Sequence, residues 1–149
     1  MSLKEELYKD CIAFVDKRLE TVKTVIASNQ KALESETKSS AGDKHETGRA
    51  MLQLEMEKVS QQFLVAKQMK ETLYKINYEK TADIVCLGAI VETNIANYFI
   101  SASVGELKKE NKTYYAVSTS SPIGKKLLGK QVGNEVVFNG NKIKIKNIC

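Results

Sequence analysis

The chain has 149 residues, 42% of them apolar and 28% charged, with 23 Lys+Arg against 18 Asp+Glu and a net charge of +5. That is enough apolar material for a packed core in one domain or two small ones, which excludes whole-chain disorder, and no apolar run nears the roughly 20 residues of a membrane span. Three scattered cysteines (Cys11, Cys86, Cys149), one His and no Cys-x-x-Cys or His-Glu-x-x-His argue against a disulfide framework and a structural zinc, and point to a reducing cytoplasm. The opening Met1-Ser2-Leu3-Lys4-Glu5-Glu6 is charged at once and does not read as a secretory signal.

Two halves differ in character. Residues 1–78 hold 13 basic and 12 acidic side chains, net +1; residues 79–149 hold 10 and 6, net +4. Six of the eight Gly and the single Pro, Pro122, fall in the second half. The first half is written for uninterrupted helix and the second for strands and turns.

In the first half, Tyr8, Ile12, Val15, Leu19, Val22, Ile26, Asn29 and Leu33 follow at steps of four and three, a heptad seam with one polar interruption at Asn29. Helical pattern runs from about Ser2 to about Glu36, roughly 50 Å at 1.5 Å per residue. Residues 35–42 have no apolar spacing and read as a turn. A second seam follows: Leu52, Met56, Val59, Phe63, Ala66, Met69, Leu73 and Ile76, with a stammer between Ala66 and Met69. Two such helices joined by a short turn predict an antiparallel hairpin with its tip near residues 36–47. Half of a four-helix bundle built by dimerisation is the other arrangement that the pattern allows.

The second half begins with the β-branched run Ile84–Val91, then Asn97–Ser101 and Thr113–Val117, each read as a strand. Glu135–Phe138, Asn139-Gly140 and Lys142–Lys146 predict a hairpin, with Ile143 and Ile145 inward. Lys142, Lys144 and Lys146 then form a solvated face that blocks edge pairing; a nucleic-acid stripe is the sharper alternative. Between the strands, Ser121 suits an N-cap, Pro122 the first helical position and Gly129 the C-terminal stop. Gly124-Lys125 is no phosphate loop, because Thr119 stands where Gly is needed and Lys126 where Ser or Thr is needed.

The tip reads Gly42-Asp43-Lys44-His45-Glu46-Thr47-Gly48-Arg49. Asp43 and Glu46 are three apart, so a helix starting here carries both carboxylates on one face of its first turn. Such a pair can hold a divalent metal through oxygen, provided another molecule completes the site. The same Asp-x-x-Glu is also a capping box, and acidic residues suit the positive end of the helix dipole. His45 between them reads as a solvated tip residue.

A long helical hairpin with Gly42-Asp43-x-x-Glu46 at its tip, followed by a small β-rich domain, resembles the bacterial Gre transcript-cleavage factors. The resemblance covers nearly the whole chain. Ser121-Pro122-Ile123-Gly124-Lys125-Lys126-Leu127-Leu128-Gly129-Lys130 and Val132-Gly133-Asn134-Glu135-Val136 are similar to the family's Ser-Pro-(Ile/Leu)-Gly-x-(Ala/Leu)-Leu-(Leu/Ile)-Gly-x-x-x-Gly-Asp-x-Val stretch, and Leu87–Val91 to its first strand. The resemblance implies an α+β fold: a coiled-coil hairpin over residues 1–78, then a small FKBP-like β domain with one short helix over residues 79–149.

It also implies a cytoplasmic, monomeric transcription elongation factor that binds bacterial RNA polymerase, with the hairpin in the secondary channel and its tip at the nascent RNA 3′ end. Asp43 and Glu46 would then help hold a Mg ion shared with the polymerase and stimulate cleavage of backtracked RNA. The protein would be no enzyme in isolation and would carry no cofactor alone. Candidate partner contacts are Gly42, Lys44, His45 and Arg49 at the tip, and Ser121, Pro122 and Ile123 at the short helix. The tip departs from the family's Gly-Asp-Leu-x-Glu-Asn-Ala-Glu-Tyr: Lys44 replaces Leu, and Thr47-Gly48-Arg49-Ala50 replaces Asn-Ala-Glu-Tyr. The cations Lys44 and Arg49 either stabilise RNA phosphates or weaken metal binding by repulsion. Two other readings follow: a Gre-like channel-binding regulator or inhibitor without cleavage, and an FKBP-like domain with a coiled-coil dimerisation arm.

Overall fold

A computed structural model of the chain describes the backbone of residues 2–38 and 43–149, and the side chains of these except 36–46. The order is α1 (Leu3–Lys38), α2 (Asp43–Tyr74), β1 (Ile90–Thr93), β2 (Asn97–Ser101), β3 (Gly105–Lys109), β4 (Lys112–Ser118), α3 (Pro122–Leu127), β5 (Glu135–Phe138) and β6 (Asn141–Ile148). The architecture is α+β: a helical hairpin, then a six-stranded sheet with one short helix. By packing, residues 15–68 form one compact unit, and residues 1–14 with 69–149 form the other.

In the 15–68 unit, neither helix carries Pro, and α2 is rich in Gln, Glu, Lys, Leu and Met, all good helix formers. Val15, Val22 and Asn29 are buried on α1 and Val59 and Ala66 on α2, all on the expected seams. α1 runs on to Lys38, through residues whose composition predicts a turn, and the connection at 39–42 lies outside the described residues. Asn29 is only 8% exposed, and its Nδ2 has no hydrogen-bond partner among the described residues. A buried amide donor left unpaired costs about 1–3 kcal/mol, so it opposes the apolar seam around it.

The other unit is built on the sheet, ordered β3-β4-β2-β1-β6-β5, with β2 and β4 parallel and every other neighbouring pair antiparallel. Alternation along the strands gives two faces. On one, Val91, Ile100, Val136, Ile143, Ile145 and Ile148 join Ile123 and Leu127 of α3 in a core. Each such aliphatic side chain contributes about 1.5–3 kcal/mol on full burial. On the other face lie Phe99 and Ser101, and here the root of α1 docks: Cys11 Sγ is 3.9 Å from Ser101 Oγ, and Lys109 Nζ is 2.9 Å from Asp10 Oδ2. This docking turns the base of α1 away from its seam. Leu7 and Cys11 are fully buried there, whereas Tyr8, a seam position, is half-buried with its ring centroid 5.1 Å from that of Tyr78.

The run Ile84–Val91 is not one strand. Ile84 makes a single bridge to Gln131, Cys86–Ala89 is a turn closed by Ala89 N–H to Cys86 C=O at 3.0 Å, and β1 starts at Ile90. Gly88 is the reason. Its φ of +92° belongs to a turn, and a Cβ there would sit 3.0 Å from Ile76 Cγ2. The Asn97–Ser101 and Glu135–Phe138 strands have the expected bounds. β3 is an element that the sequence pattern does not announce. It joins β4 through Glu110-Asn111, both at positive φ (50° and 66°), a two-residue turn written without Gly.

Candidate functional site

Two stretches carry the candidate residues, and each is described within its own unit. At the tip, α2 begins at Asp43, so Asp43, Lys44, His45 and Glu46 all lie in its first turn. Their side chains, and all of Gly42, lie outside the described residues, as do the partners that would separate a capping box from a metal site. What the backbone establishes is the helical start that the Asp-x-x-Glu spacing requires. Residues i and i+3 of a helix are surface neighbours, and the positive end of the helix dipole favours carboxylates there.

Just beyond, Thr47, Arg49 and Ala50 are exposed and Gly48 is half-buried. Met51 and Leu54 follow at 67% and 66% exposure. Sequence reasoning does not single out these two apolar side chains. Their only signal is negative: they are the apolar residues near the start of α2 that the seam beginning at Leu52 leaves over.

Two carboxylates in one helical turn suit a hard divalent cation but leave most of the six oxygen positions of Mg²⁺ to be filled. Among the described residues, no group of three or more His, Cys, Asp or Glu side chains gathers to hold a metal. At the tip, two carboxylates by themselves would fill only part of such a coordination shell, and another molecule would have to complete it.

The second stretch is the start of α3. Ser121 is its N-cap, with Oγ accepting from Gly124 N–H at 3.0 Å and donating to Ser118 C=O at 2.7 Å. Pro122 occupies the first helical position and is exposed. Ile123 is buried in the sheet core. Gly124 is buried, and a Cβ on it would collide with the Ser118 carbonyl oxygen. The Ser-Pro-Ile-Gly run thus works as a cap and a close packing contact, with Pro122 as its exposed member. Gly129, at φ +79°, follows the C-cap Leu128. On the sheet, Lys142, Lys144 and Lys146 are exposed and Ile143 and Ile145 buried, as their alternation requires.

Elsewhere burial governs most of the shifted groups, whereas Lys109 is raised chiefly by its hydrogen bond to Asp10. The Cys11 thiol is pushed up to about 11 by burial, and the Ser101 hydroxyl bonded to it works in the opposite sense. Such a thiol is no nucleophile near neutral pH.

The tip of the helical hairpin is the candidate site. No protein-family model matches the chain, and no curated protein matches it. A solved structure described as that of the transcription factor Gfh1 is similar over 95% of this chain and 92% of its own, with 18% identity and a TM-score of 0.36. Likeness at that level carries no inference about function. Among the described residues, no helix is long and apolar enough to cross a membrane.

Proposed function

We propose that the chain is a Gre-like transcription factor of the bacterial cytoplasm that binds RNA polymerase and acts through the tip of its helical hairpin on backtracked RNA. The observation that carries this reading is the start of α2 at Asp43, which puts Asp43 and Glu46 together in the first turn of a 32-residue helix. The Ser121–Gly129 cap and the Gly-Asp-x-x-Glu tip are the sequence features that support it.

Asp43 and Glu46 would supply two carboxylate oxygens to a Mg ion whose remaining ligands come from the polymerase. Bound there, the metal would activate water for attack on the RNA phosphodiester. The carboxylates position and neutralise; neither attacks the RNA. Lys44 and Arg49 would lie beside the phosphates of the RNA 3′ end, where their charge opposes that of the backbone. The protein would act as a monomer and only as a partner of the polymerase.

The test is a cleavage assay on a stalled, backtracked transcription complex with Mg²⁺. Asp43→Asn and Glu46→Gln are expected to lower 3′-end cleavage at least about tenfold, more than 1.4 kcal/mol of transition-state stabilisation, while polymerase binding stays near the parent level. Parent-level cleavage by both variants would show that the carboxylates only cap the helix.

A second reading, a channel-binding regulator without cleavage, is favoured by Lys44 and Arg49, whose charge weakens cation binding at the tip. It predicts polymerase binding with no Mg²⁺-dependent cleavage by the parent protein. The same assay separates the two readings.

A further inference from the structure

At the first turn of α1 a cavity of about 400 Å³ opens within the sheet unit, with Leu3, Lys4, Tyr78, Thr81, Ile90 and Cys149 among its lining residues. Its volume is within the range of small-ligand pockets. Lys4 is only 8% exposed. Its Nζ donates one hydrogen bond, to the Lys80 carbonyl oxygen at 2.7 Å. An ammonium has three N–H donors. No ion pair to a carboxylate is found for Lys4 among the described residues, and Glu79, an exposed rim residue, makes none with it.

A buried cation with no carboxylate paired to it is costly. Burial accordingly lowers the Lys4 pKa, against the opposing influence of Cys149 and Cys86. The surrounding walls are mainly apolar, with Ser2, Lys80 and Thr81 as further polar residues among those that line them. A carboxylate with an apolar body matches both parts of the cavity.

We propose that this cavity binds a small organic carboxylate, its oxygens paired with Lys4 Nζ and its hydrocarbon part against Leu3, Tyr78 and Ile90. The site lies in the sheet unit and does not depend on the transcriptional reading of the tip.

The experiment titrates the full chain with isovalerate and, separately, with isovaleramide, which has nearly the same shape without the charge. Backbone amide NMR shifts of Lys80, Thr81, Ile90 and Cys149 are followed, together with the Lys4 side-chain signal against pH. Saturable shifts with isovalerate are expected, with at least about tenfold weaker binding of the amide, the 1.4 kcal/mol of one decade. Isovalerate should also raise the Lys4 pKa. Lys4→Met, which keeps the apolar stem and removes the charge, should lose the saturable response. Absence of saturation, equal binding of acid and amide, an unmoved Lys4 pKa, or an undiminished response in Lys4→Met overturns the proposal. The first three outcomes are read on the unmutated chain and so stand even if that variant does not fold.

Discussion

Gly124 shows how one atom governs a turn. The Ser121 cap draws the first turn of α3 onto the Ser118 carbonyl, and no room for a Cβ remains: it would fall far inside van der Waals distance of the Ser118 oxygen. Gly124→Ala must therefore shift α3 or break the cap. A loss of about 1–3 kcal/mol, the usual cost of overpacking, is expected in urea unfolding. A midpoint equal to the parent's would mean that the turn relaxes freely. The cap itself was legible, since Ser, Pro and Gly at these positions each carry a local signal. The need for Gly124 was not, because Ser118 meets it only after the turn has formed. The tip is the reverse case. The Asp43–Glu46 spacing and the helical start agree, yet spacing alone does not divide a cap from a metal ligand, as both use the same oxygens.

At the scale of elements, the hairpin seams were readable because every fourth or third residue in turn is apolar, and Val15, Val22, Val59, Ala66 and Leu73 are buried accordingly. The base of α1 departed from its seam: Leu7 and Cys11 are fully buried, and Cys11 meets Ser101 of the sheet. β3 and the Cys86–Ala89 turn were hidden for related reasons. Glu106-Leu107-Lys108-Lys109 offers only one apolar residue, and a β-branched run conceals a turn when a lone Gly88 supplies the positive φ. The parallel pairing of β2 with β4 is tertiary and leaves no local mark. Asn29 yields a prediction at this scale. Asn29→Leu removes the unpaired Nδ2 and extends the apolar seam, so a gain of about 1–2 kcal/mol is expected. Hydrogen exchange should slow along the 15–68 unit while the sheet is unchanged. Slower exchange nowhere, or a loss of stability, would show that the amide has a partner in solution.

At the scale of the molecule, the buried acids set an alkaline limit. Cys11 rises to about 11 from its ordinary 9.0, and Tyr8, Tyr98 and Tyr114 are raised as well, in each case chiefly by burial. These groups hold their protons more tightly folded than unfolded. The Cys11 contribution is complete below about pH 9 and falls as pH rises through 11, and the raised tyrosines act in the same direction. Lys4, lowered by burial, works in the opposite sense and offsets part of this. Urea midpoints measured from pH 7 to 11 should hold steady to about 9 and then decline, and Cys11→Ser should flatten the decline. A parent midpoint constant to pH 11 would contradict the assigned burial of these groups.

The two compact units are divided unevenly along the chain: residues 15–68 are continuous, whereas the sheet unit joins residues 1–14 to residues 69–149. During ribosomal synthesis the continuous unit has all its partners as soon as α2 emerges. The first turns of α1 do not. β1 must pair with β2 on one side and with β6, residues 141–148, on the other. Leu7 and Cys11 leave the ribosome long before these strands, and at about 5–20 residues per second they wait several seconds for the sheet that buries them. The root of α1, with Leu7 and Cys11 uncovered, is thus left open to chaperones, and to mispairing, while the chain is being made.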